Sequence, residues 1–280
     1  MKTSSILLLF IAFFASSCSN NVAKEGYVQS GKETFEGVKI KYIAHACFIL
    51  EADTTKIMID PYADRVWLGY DFPKGLKVDA VFITHPHYDH DGGIFRGKKP
   101  DWMCETDFYQ SPNDYTIGDF KVSGIVGKHA EPYGKEFGQM NTIWTVEIGG
   151  IVFAHWGDNG PLTEDNIEKL QNVDVLFIPM DGDFHILPKE QYDLILNAIK
   201  PKIVVPMHYR IPELEEAEDT PKNLGEIEPF LKERPKMLSQ DSTFFTPKII
   251  EIKSNRLVLT KEEVPDSTVY YVFKHSPALQ

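Results

Sequence analysis

The residues best suited to chemistry form one short run, Thr84-His85-Pro86-His87-Tyr88-Asp89-His90-Asp91, which follows the apolar segment Ala80–Ile83. The run offers imidazole nitrogens and carboxylate oxygens at very close spacing. These donors suit a borderline-soft divalent ion such as zinc, which takes nitrogen and oxygen ligands. The run therefore predicts a metal site whose ligands are His85, His87, Asp89 and His90.

One loop cannot surround a metal ion, so we expect further ligands from the ends of other strands. Polar groups placed just past strand ends are the usual arrangement of active sites in α/β folds. Three residues fit this expectation, because each comes shortly after an apolar run of strand-like length. They are His129 after Phe120–Val126, Asp158 after Ile151–Ala154, and His208 after Lys202–Val205.

The elements that must position these residues are mostly short β-rich runs. Gly149–Gly150 lies between two of them and predicts a two-residue hairpin turn. The predicted strands are Val38–Ile43, Cys47–Glu51, Lys56–Ile59, Val78–Ile83, Phe120–Val126, Thr142–Ile148, Ile151–Ala154, Val173–Ile178, Lys202–Val205, Lys248–Ile252 and Arg256–Thr260.

Helices are predicted later in the chain. Thr163 has the side chain of an N-cap and is followed by two acidic residues, as in the first turn of a helix. A second helix is predicted from Pro188 to before Pro201, with one apolar face formed by Tyr192, Ile195, Leu196 and Ile199. Strands followed by strand–helix–strand units indicate an α/β fold in which helices cover sheets.

The composition excludes several classes of protein. Of 280 residues, 42% are hydrophobic and 25% charged, which excludes a wholly disordered chain. The net charge of -12 makes a nucleic-acid partner unexpected, because a nucleic-acid surface needs a cationic excess. Three cysteines are too few for a disulfide scaffold. We expect Cys47 to be a core residue, and whether it pairs with Cys104 stays open.

The amino terminus is typical of a targeting segment. Lys2 precedes the apolar run Ile6–Ala15, which is too short to span a bilayer but suits a signal peptide. Small residues then lead into Cys18, which predicts a lipoprotein signal over residues 1–17 and a lipid anchor in the bacterial cell envelope. A plain secretory signal is the alternative. We expect a polar tether over 18–36 and one domain over 37–280, with a charged insertion near 213–242.

These motifs resemble the metallo-β-lactamase fold superfamily, whose hallmark is an H-x-H-x-D-H loop. The chain is most similar to the ascorbate-phosphate lactonase-like branch and more distantly to the N-acyl phosphatidylethanolamine phospholipases D. The resemblance covers about Val38–Tyr209 and implies a four-layer αββα sandwich with a dinuclear metal site. Its further supporting segments are Ala44-His45-Ala46-Cys47, Asn141-Thr142-Ile143, His155-Trp156-Gly157-Asp158 and Pro206-Met207-His208-Tyr209.

The resemblance also implies a division of the ligands. His85, His87 and His129 would hold one zinc ion, Asp89, His90 and His208 would hold the other, and Asp158 would bridge the two; manganese or iron could replace zinc. The segment Asp181-Gly182-Asp183-Phe184-His185 departs from that branch. Asp181 and Asp183 are the alternatives for the bridging role.

The expected activity is metal-dependent hydrolysis of a small molecule. A hydroxide shared by two zinc ions about 3.5–4 Å apart would attack a lactone, ester or phosphodiester. The resemblance also implies that Asp89 orients this nucleophile, which makes Asp89 the predicted catalytic residue. The alternatives are a phospholipase-D-like phosphodiesterase and a catalytically idle binding lipoprotein. Four further residues are predicted to support the ligands or contact the substrate, namely His45, His155, His185 and Tyr209.

Overall fold

The structure is a computed structural model that describes residues 35–104, 106–130, 140–160, 162–214, 224–239 and 241–275. The predicted signal peptide, Cys18 and nearly all of the tether lie outside these residues. The strands are β1 Val38–Ala44, β2 Cys47–Ala52, β3 Thr55–Ile59, β4 Ala80–Phe82, β5 Asp107–Tyr109, β6 Asp114–Ile117, β7 Phe120–Lys128, β8 Met140–Ile148, β9 Ile151–His155, β10 Val175–Pro179, β11 Ile203–Met207, β12 Met237–Leu238, β13 Phe244–Phe245, β14 Lys248–Ile252, β15 Arg256–Leu259 and β16 Val269–Phe273.

Two large sheets form the frame of the molecule. The first has the order β15-β1-β2-β3-β4-β5, and the second has the order β14-β16-β11-β10-β9-β8-β7-β6. In the second sheet, β9, β10, β11, β16 and β14 run parallel to one another, whereas β6 to β9 form an antiparallel meander. Strands β12 and β13 pair separately as a small ribbon.

The two sheets share one apolar core. Phe48 of β2 lies against Phe177 of β10 with ring centroids 4.3 Å apart. Phe82 of β4 meets Trp144 of β8 at 5.0 Å. All four side chains are fully buried, as is Cys47, which is a free thiol. This packing confirms the expected α/β sandwich.

Three α-helices lie in the described residues, and all of them follow β9: α1 Glu164–Lys169, α2 Lys189–Ile199 and α3 Ile227–Lys232. The Thr163 hydroxyl accepts a hydrogen bond from the Asn166 amide at 3.2 Å, which confirms the predicted cap. Helix α2 buries Tyr192, Ile195, Leu196 and Ile199, as its periodicity predicts. No described helix has the length and hydropathy needed to cross a bilayer.

The predicted strands occur with small shifts at their ends. Val78–Ile83 shortens to Ala80–Phe82, and the hairpin glycines Gly149 and Gly150 have φ values of 58° and 75°, as a two-residue turn of this hand requires. The edge strands β5 and β6 were not predicted, because their polar and partly exposed residues lack a buried face. Strand β16 was also missed, although its run Val-Tyr-Tyr-Val-Phe favours a strand.

The charged segment near 213–242 is only partly described. It contains α3 and β12, preceded by a 3-10 turn at Pro212–Leu214. Its interpretation as an insertion remains a prediction.

Candidate metal centre

The site is built where strands of both sheets end. The loop 85–91 follows β4, His129 follows β7, Asp158 follows β9 and His208 follows β11. His208 adopts a left-handed backbone conformation with φ 60°, which turns the chain sharply at the end of its strand. His129 forms an isolated bridge with Asn159, and the Ala130 amide donates to the Asp158 carbonyl at 2.8 Å. These contacts hold two distant parts of the sequence side by side.

The seven predicted ligands meet in one cluster, and all of them except the half-buried His87 are buried. His85, His87 and His129 form one group of donor atoms within 4.8 Å of one another. A second such group contains Asp89, His90 and His208, together with His45. The structure therefore brings the seven predicted ligands together and places His45 beside the second group.

The Asp158 carboxylate lies between the two groups. Its Oδ2 atom is 3.5 Å from Nε2 of His129 and 3.7 Å from Nε2 of His85, on the side of the first group. On the side of the second group, Oδ1 is 3.3 Å from Nε2 of His90, and Oδ2 is 3.3 Å from Nε2 of His208. One carboxylate thus reaches donor atoms of both groups.

Several of these donor atoms fit a metal ion because no described residue forms a hydrogen bond with them. Among the described residues, the buried atoms without a hydrogen-bond partner include Nε2 of His90, His129 and His208 and Oδ1 of Asp158. A buried polar atom without a partner is costly unless an ion or water completes it. Nitrogen and carboxylate donors converging in this way suit a divalent transition metal.

The charges of the cluster also favour the binding of a cation. Burial alone would raise the pKa of Asp158, but His208 and His90 outweigh it and hold that pKa well below its usual range. Burial lowers the pKa of His208, yet Asp158 and Asp89 outweigh this effect and raise it to about 9. Without metal, the buried carboxylates therefore keep imidazole protons that a bound cation would replace.

A buried carboxylate that the sequence analysis missed supports the loop. Asp60 lies directly after β3, and its Oδ2 atom accepts a hydrogen bond from the Thr84 hydroxyl at 2.7 Å and lies 2.7 Å from Nδ1 of His90. The same hydroxyl is 2.9 Å from Nδ1 of His85. Asp60 thus orients His90 directly and His85 through Thr84. Its position just past a predicted strand is the signal that could have revealed it.

The turn that carries Asp158 depends on close backbone approach. Asn141 accepts a hydrogen bond from the Asp158 amide at 3.1 Å and donates to the Trp156 carbonyl at 3.1 Å. Gly157 has φ 58°, and a Cβ atom there would lie 2.5 Å from Oδ1 of Asn141 and 2.6 Å from Cβ of Thr84. Only glycine fits this position without displacing its neighbours.

Four residues were predicted to support the ligands or contact the substrate, and two of them, His155 and Tyr209, make their contacts within the protein. His155 spans the two sheets, with Nε2 2.8 Å from the Ala46 carbonyl and Nδ1 accepting from the Gly157 amide at 3.3 Å, so both ring nitrogens contact the backbone. Tyr209 is buried beside Tyr42, with ring centroids 6.4 Å apart. It does not line the site cavity, so the structure does not support its predicted substrate contact.

The other two lie at the metal cluster. His45 is fully buried, and its Nε2 atom is 3.0 Å from Oδ2 of Asp89. His185 stacks on His208 with ring centroids 5.8 Å apart and lines the cavity. Asp181, the alternative bridge, accepts hydrogen bonds from the amides of Asp183 and His185, so its carboxylate shapes the loop, and it is not a member of the donor groups described above.

A cavity of about 420 Å³ gives access to the cluster. Its wall contains ligand candidates from both groups and several residues that the sequence analysis did not assign to the site. Arg96 stands out, because its guanidinium lies over the Tyr88 ring at 5.0 Å from the centroid. The unassigned wall residues are Trp67, Tyr88, Arg96 and Ile186.

Comparison with known proteins places this site in a family. A sequence profile described as the beta-lactamase superfamily domain matches residues 39–208. A UPF0173 protein of Pyrococcus furiosus is 29% identical over 189 residues, covering 61% of this chain and 83% of the relative. A UPF0173 metal-dependent hydrolase of Carboxydothermus hydrogenoformans is 24% identical over 194 residues, covering 61% of this chain and 84% of the relative.

A solved structure has the same fold. This Thermotoga maritima protein, assigned as a Zn-dependent hydrolase of the metallo-β-lactamase superfamily, is 24% identical with a TM-score of 0.59, and the match covers 84% of this chain and 98% of that chain. The profile match spans more than half of the chain and contains all seven predicted ligands. Placement in the ascorbate-phosphate lactonase-like branch remains a prediction. The chain belongs to the metallo-β-lactamase superfamily and is a metal-dependent hydrolase of that superfamily.

Proposed function

We propose that the protein is a dinuclear hydrolase that holds two metal ions, with zinc as the expected metal. The observation that carries this proposal is the position of Asp158, whose carboxylate reaches the His85/His129 side and the His90/His208 side of the cluster. A single ion would leave one of these groups without a cation. His85, His87 and His129 would hold one ion, Asp89, His90 and His208 the other, and Asp158 would contact both.

When bound, such a metal pair polarises a substrate oxygen and lowers the pKa of water, which provides a nucleophile at neutral pH. The residues of the chain position these groups and exclude solvent. Asp89 is the proposed catalytic carboxylate, because it lines the cavity while its Oδ2 atom is held 3.0 Å from His45 and 3.5 Å from His208. Its orientation is thus fixed before substrate arrives.

The wall of the cavity supports an anionic substrate. Arg96 is the one Lys or Arg among its described lining residues, and its stacking on Tyr88 restrains the side chain. A guanidinium held beside a hydrolytic centre suits a phosphate or carboxylate group. We therefore place phosphodiesters, or lactones and esters that carry an anionic group, ahead of neutral substrates.

A paired substrate screen tests this proposal. The protein, purified without chelator and supplied with zinc, is assayed with bis(p-nitrophenyl) phosphate and with lactone pairs that differ only in one carboxylate. We expect chelator-sensitive turnover of the anionic members, and Arg96→Gln should raise their KM about tenfold or more with little change for neutral members. Arg65→Gln is the control, because Arg65 pairs with Asp71 at the surface.

Two outcomes would contradict the proposal in different ways. A metal-loaded protein without turnover of any hydrolysable substrate would favour the idle binding lipoprotein. Equal losses on anionic and neutral substrates in the Arg96 variant would remove the argument for an anionic substrate but leave the metal-dependent activity in place.

We also propose that the enzyme acts in the bacterial cell envelope as a lipoprotein anchored through Cys18. The support is the sequence pattern of residues 1–18. Stable anchoring needs two or more acyl chains, so the wild-type protein should fractionate with membranes and dissolve in detergent. Cys18→Ala should block processing or release a soluble product. Wild-type protein found wholly in the soluble fraction would contradict the anchor.

A further inference from the structure

A second cavity, of about 460 Å³, lies on the first sheet and shares no lining residue with the metal cavity. It opens on the face of β1 that carries Lys39 and Lys41, which alternate with the core residues Val38, Ile40 and Tyr42. Apolar side chains form part of its wall and are contributed by Ile49, Leu76 and Val258.

The charge of this cavity is opposite to that of the chain. Its lining contains five basic residues and one acidic residue, whereas the chain carries a net charge of -12. The acidic residue, Glu51, is already paired with Lys39 at 3.1 Å and with Lys56 at 3.5 Å. The basic residues are Lys39, Lys41, Lys56, Lys77 and Arg256. The lining of the cavity is therefore predominantly basic.

Two of these cations are placed against each other by the strand register. Lys41 of β1 stands directly opposite Arg256 of β15 in the antiparallel pair. Like charges directly opposite in a sheet are destabilising. Among the described residues no carboxylate forms an ion pair with Lys41, whose other cross-strand neighbour is Ile49. Burial, and after it Arg256, lower the pKa of Lys41 to about 8.

The like charges of Lys41 and Arg256 repel each other in the free protein, which costs stability. An anion bound beside them would offset this repulsion. A carboxylate brings only a single charge to this basic lining. A phosphate group carries up to two charges on several oxygens, and arginine and lysine both bind it well. The apolar side chains in the wall suit an organic substituent on the phosphate. We propose that this cavity binds a small organic phosphate at a site separate from the metal centre.

The test uses phenylphosphonate, whose C–P bond resists hydrolysis. Isothermal titration of the full, metal-loaded protein should detect binding that weakens about tenfold or more in Lys41→Met and in Arg256→Gln. Lys121→Met is the matched control. Lys121 is also a strand lysine, but it stands opposite Glu147 and pairs with it at 3.1 Å. Any binding of phenylphosphonate at the metal centre would be common to all these proteins.

Thermal unfolding gives a second measurement on the same variants. Without ligand, Lys41→Met should melt at a higher temperature than wild type, because the like-charge pair is gone. Phenylphosphonate should raise the melting temperature of the wild type and of Lys121→Met, and raise that of Lys41→Met less. A lysine that merely stabilised the fold would give a lower melting temperature when replaced.

A vesicle arm distinguishes a free phosphate from a lipid headgroup. We expect no Lys41-dependent sedimentation with phosphatidylglycerol vesicles beyond that seen with phosphatidylcholine vesicles. Lys41-dependent vesicle binding without phenylphosphonate binding would overturn the proposal in favour of a membrane surface. Equal phenylphosphonate affinity in the wild type, Lys41→Met and Arg256→Gln would also overturn it.

Discussion

The carboxylate of Asp60 lies 2.7 Å from Nδ1 of His90, and both side chains are completely buried. This contact fixes which ring nitrogen of His90 remains for a metal, since Nε2 then faces Asp158 at 3.3 Å. A carboxylate behind a ligating histidine orients the ring and increases its basicity. The pair therefore links the end of β3 to the proposed metal centre, although Asp60 itself does not line the cavity.

Asp60→Asn tests this link. The amide keeps the size of the side chain but places a donor against the Thr84 hydroxyl or against His90. We expect metal affinity or turnover to fall about 10–100-fold, as for other carboxylates behind metal-binding histidines. Zinc affinity is measured by competition with a chromophoric chelator. Asp79→Asn is the control, because Asp79 accepts a hydrogen bond from the Lys56 amide away from the site. Equal zinc affinity in the wild type and both variants would contradict the role of Asp60.

Gly157→Ala should damage the site through the backbone. A left-handed residue with a Cβ atom costs about 1–2 kcal/mol, and at this position the added atom would also collide with Asn141 and Thr84. Gly150→Ala is the matched control, because it has φ 75° but its nearest neighbour would be the Lys261 side chain at 3.9 Å. We expect Gly157→Ala to lose more free energy of unfolding than Gly150→Ala in chemical denaturation, and to lose metal as well. Equal losses of free energy of unfolding in the two variants would show that the close approach of Asn141 and Thr84 to position 157 does not affect stability.

Loss of metal and turnover should differ among three variants, namely Asp158→Ala, His208→Ala and His45→Ala. Asp158 reaches both groups of donors, so its loss should remove both metals and nearly all turnover. His208→Ala should mainly empty one site, and His45→Ala should cost about 10–100-fold as the loss of a group behind a ligand. Metal content and rates measured together give this order. Near-normal metal content and turnover in Asp158→Ala would show that Asp158 is not the bridge.

Most of the predicted site residues lie together in the structure because they obey a local rule in the sequence. His129, Asp158 and His208 each follow an apolar run, and strand ends of a sheet meet at one edge. Asp60 follows the same rule but has no neighbouring histidine in sequence, so only the fold shows its contact with His90. Tyr209 is next to His208 in sequence but does not line the cavity, since adjacency does not fix the direction of a side chain after a sharp turn at φ 60°.

The stability of the first sheet should depend on pH through Lys41. Burial and Arg256, with a smaller contribution from Lys56, lower its pKa to about 8 from 10.5, while Cys47 and Glu51 oppose this. Between these values the unfolded chain binds more protons than the folded chain, so this lysine's contribution to stability rises with pH. The excess stability of Lys41→Met over wild type should therefore be largest below pH 8 and shrink towards pH 10.5. A constant difference across this range would contradict the lowered pKa.

The metal content of the wild-type protein tests the dinuclear proposal most directly. Protein purified without chelator is analysed for transition metals by inductively coupled plasma mass spectrometry, before and after incubation with zinc and removal of the excess. Two groups of donors joined by Asp158 should hold about two equivalents per chain, as zinc or as manganese or iron where these dominate the supply. Less than half an equivalent of any transition metal, with no increase after added zinc, would contradict the proposed centre.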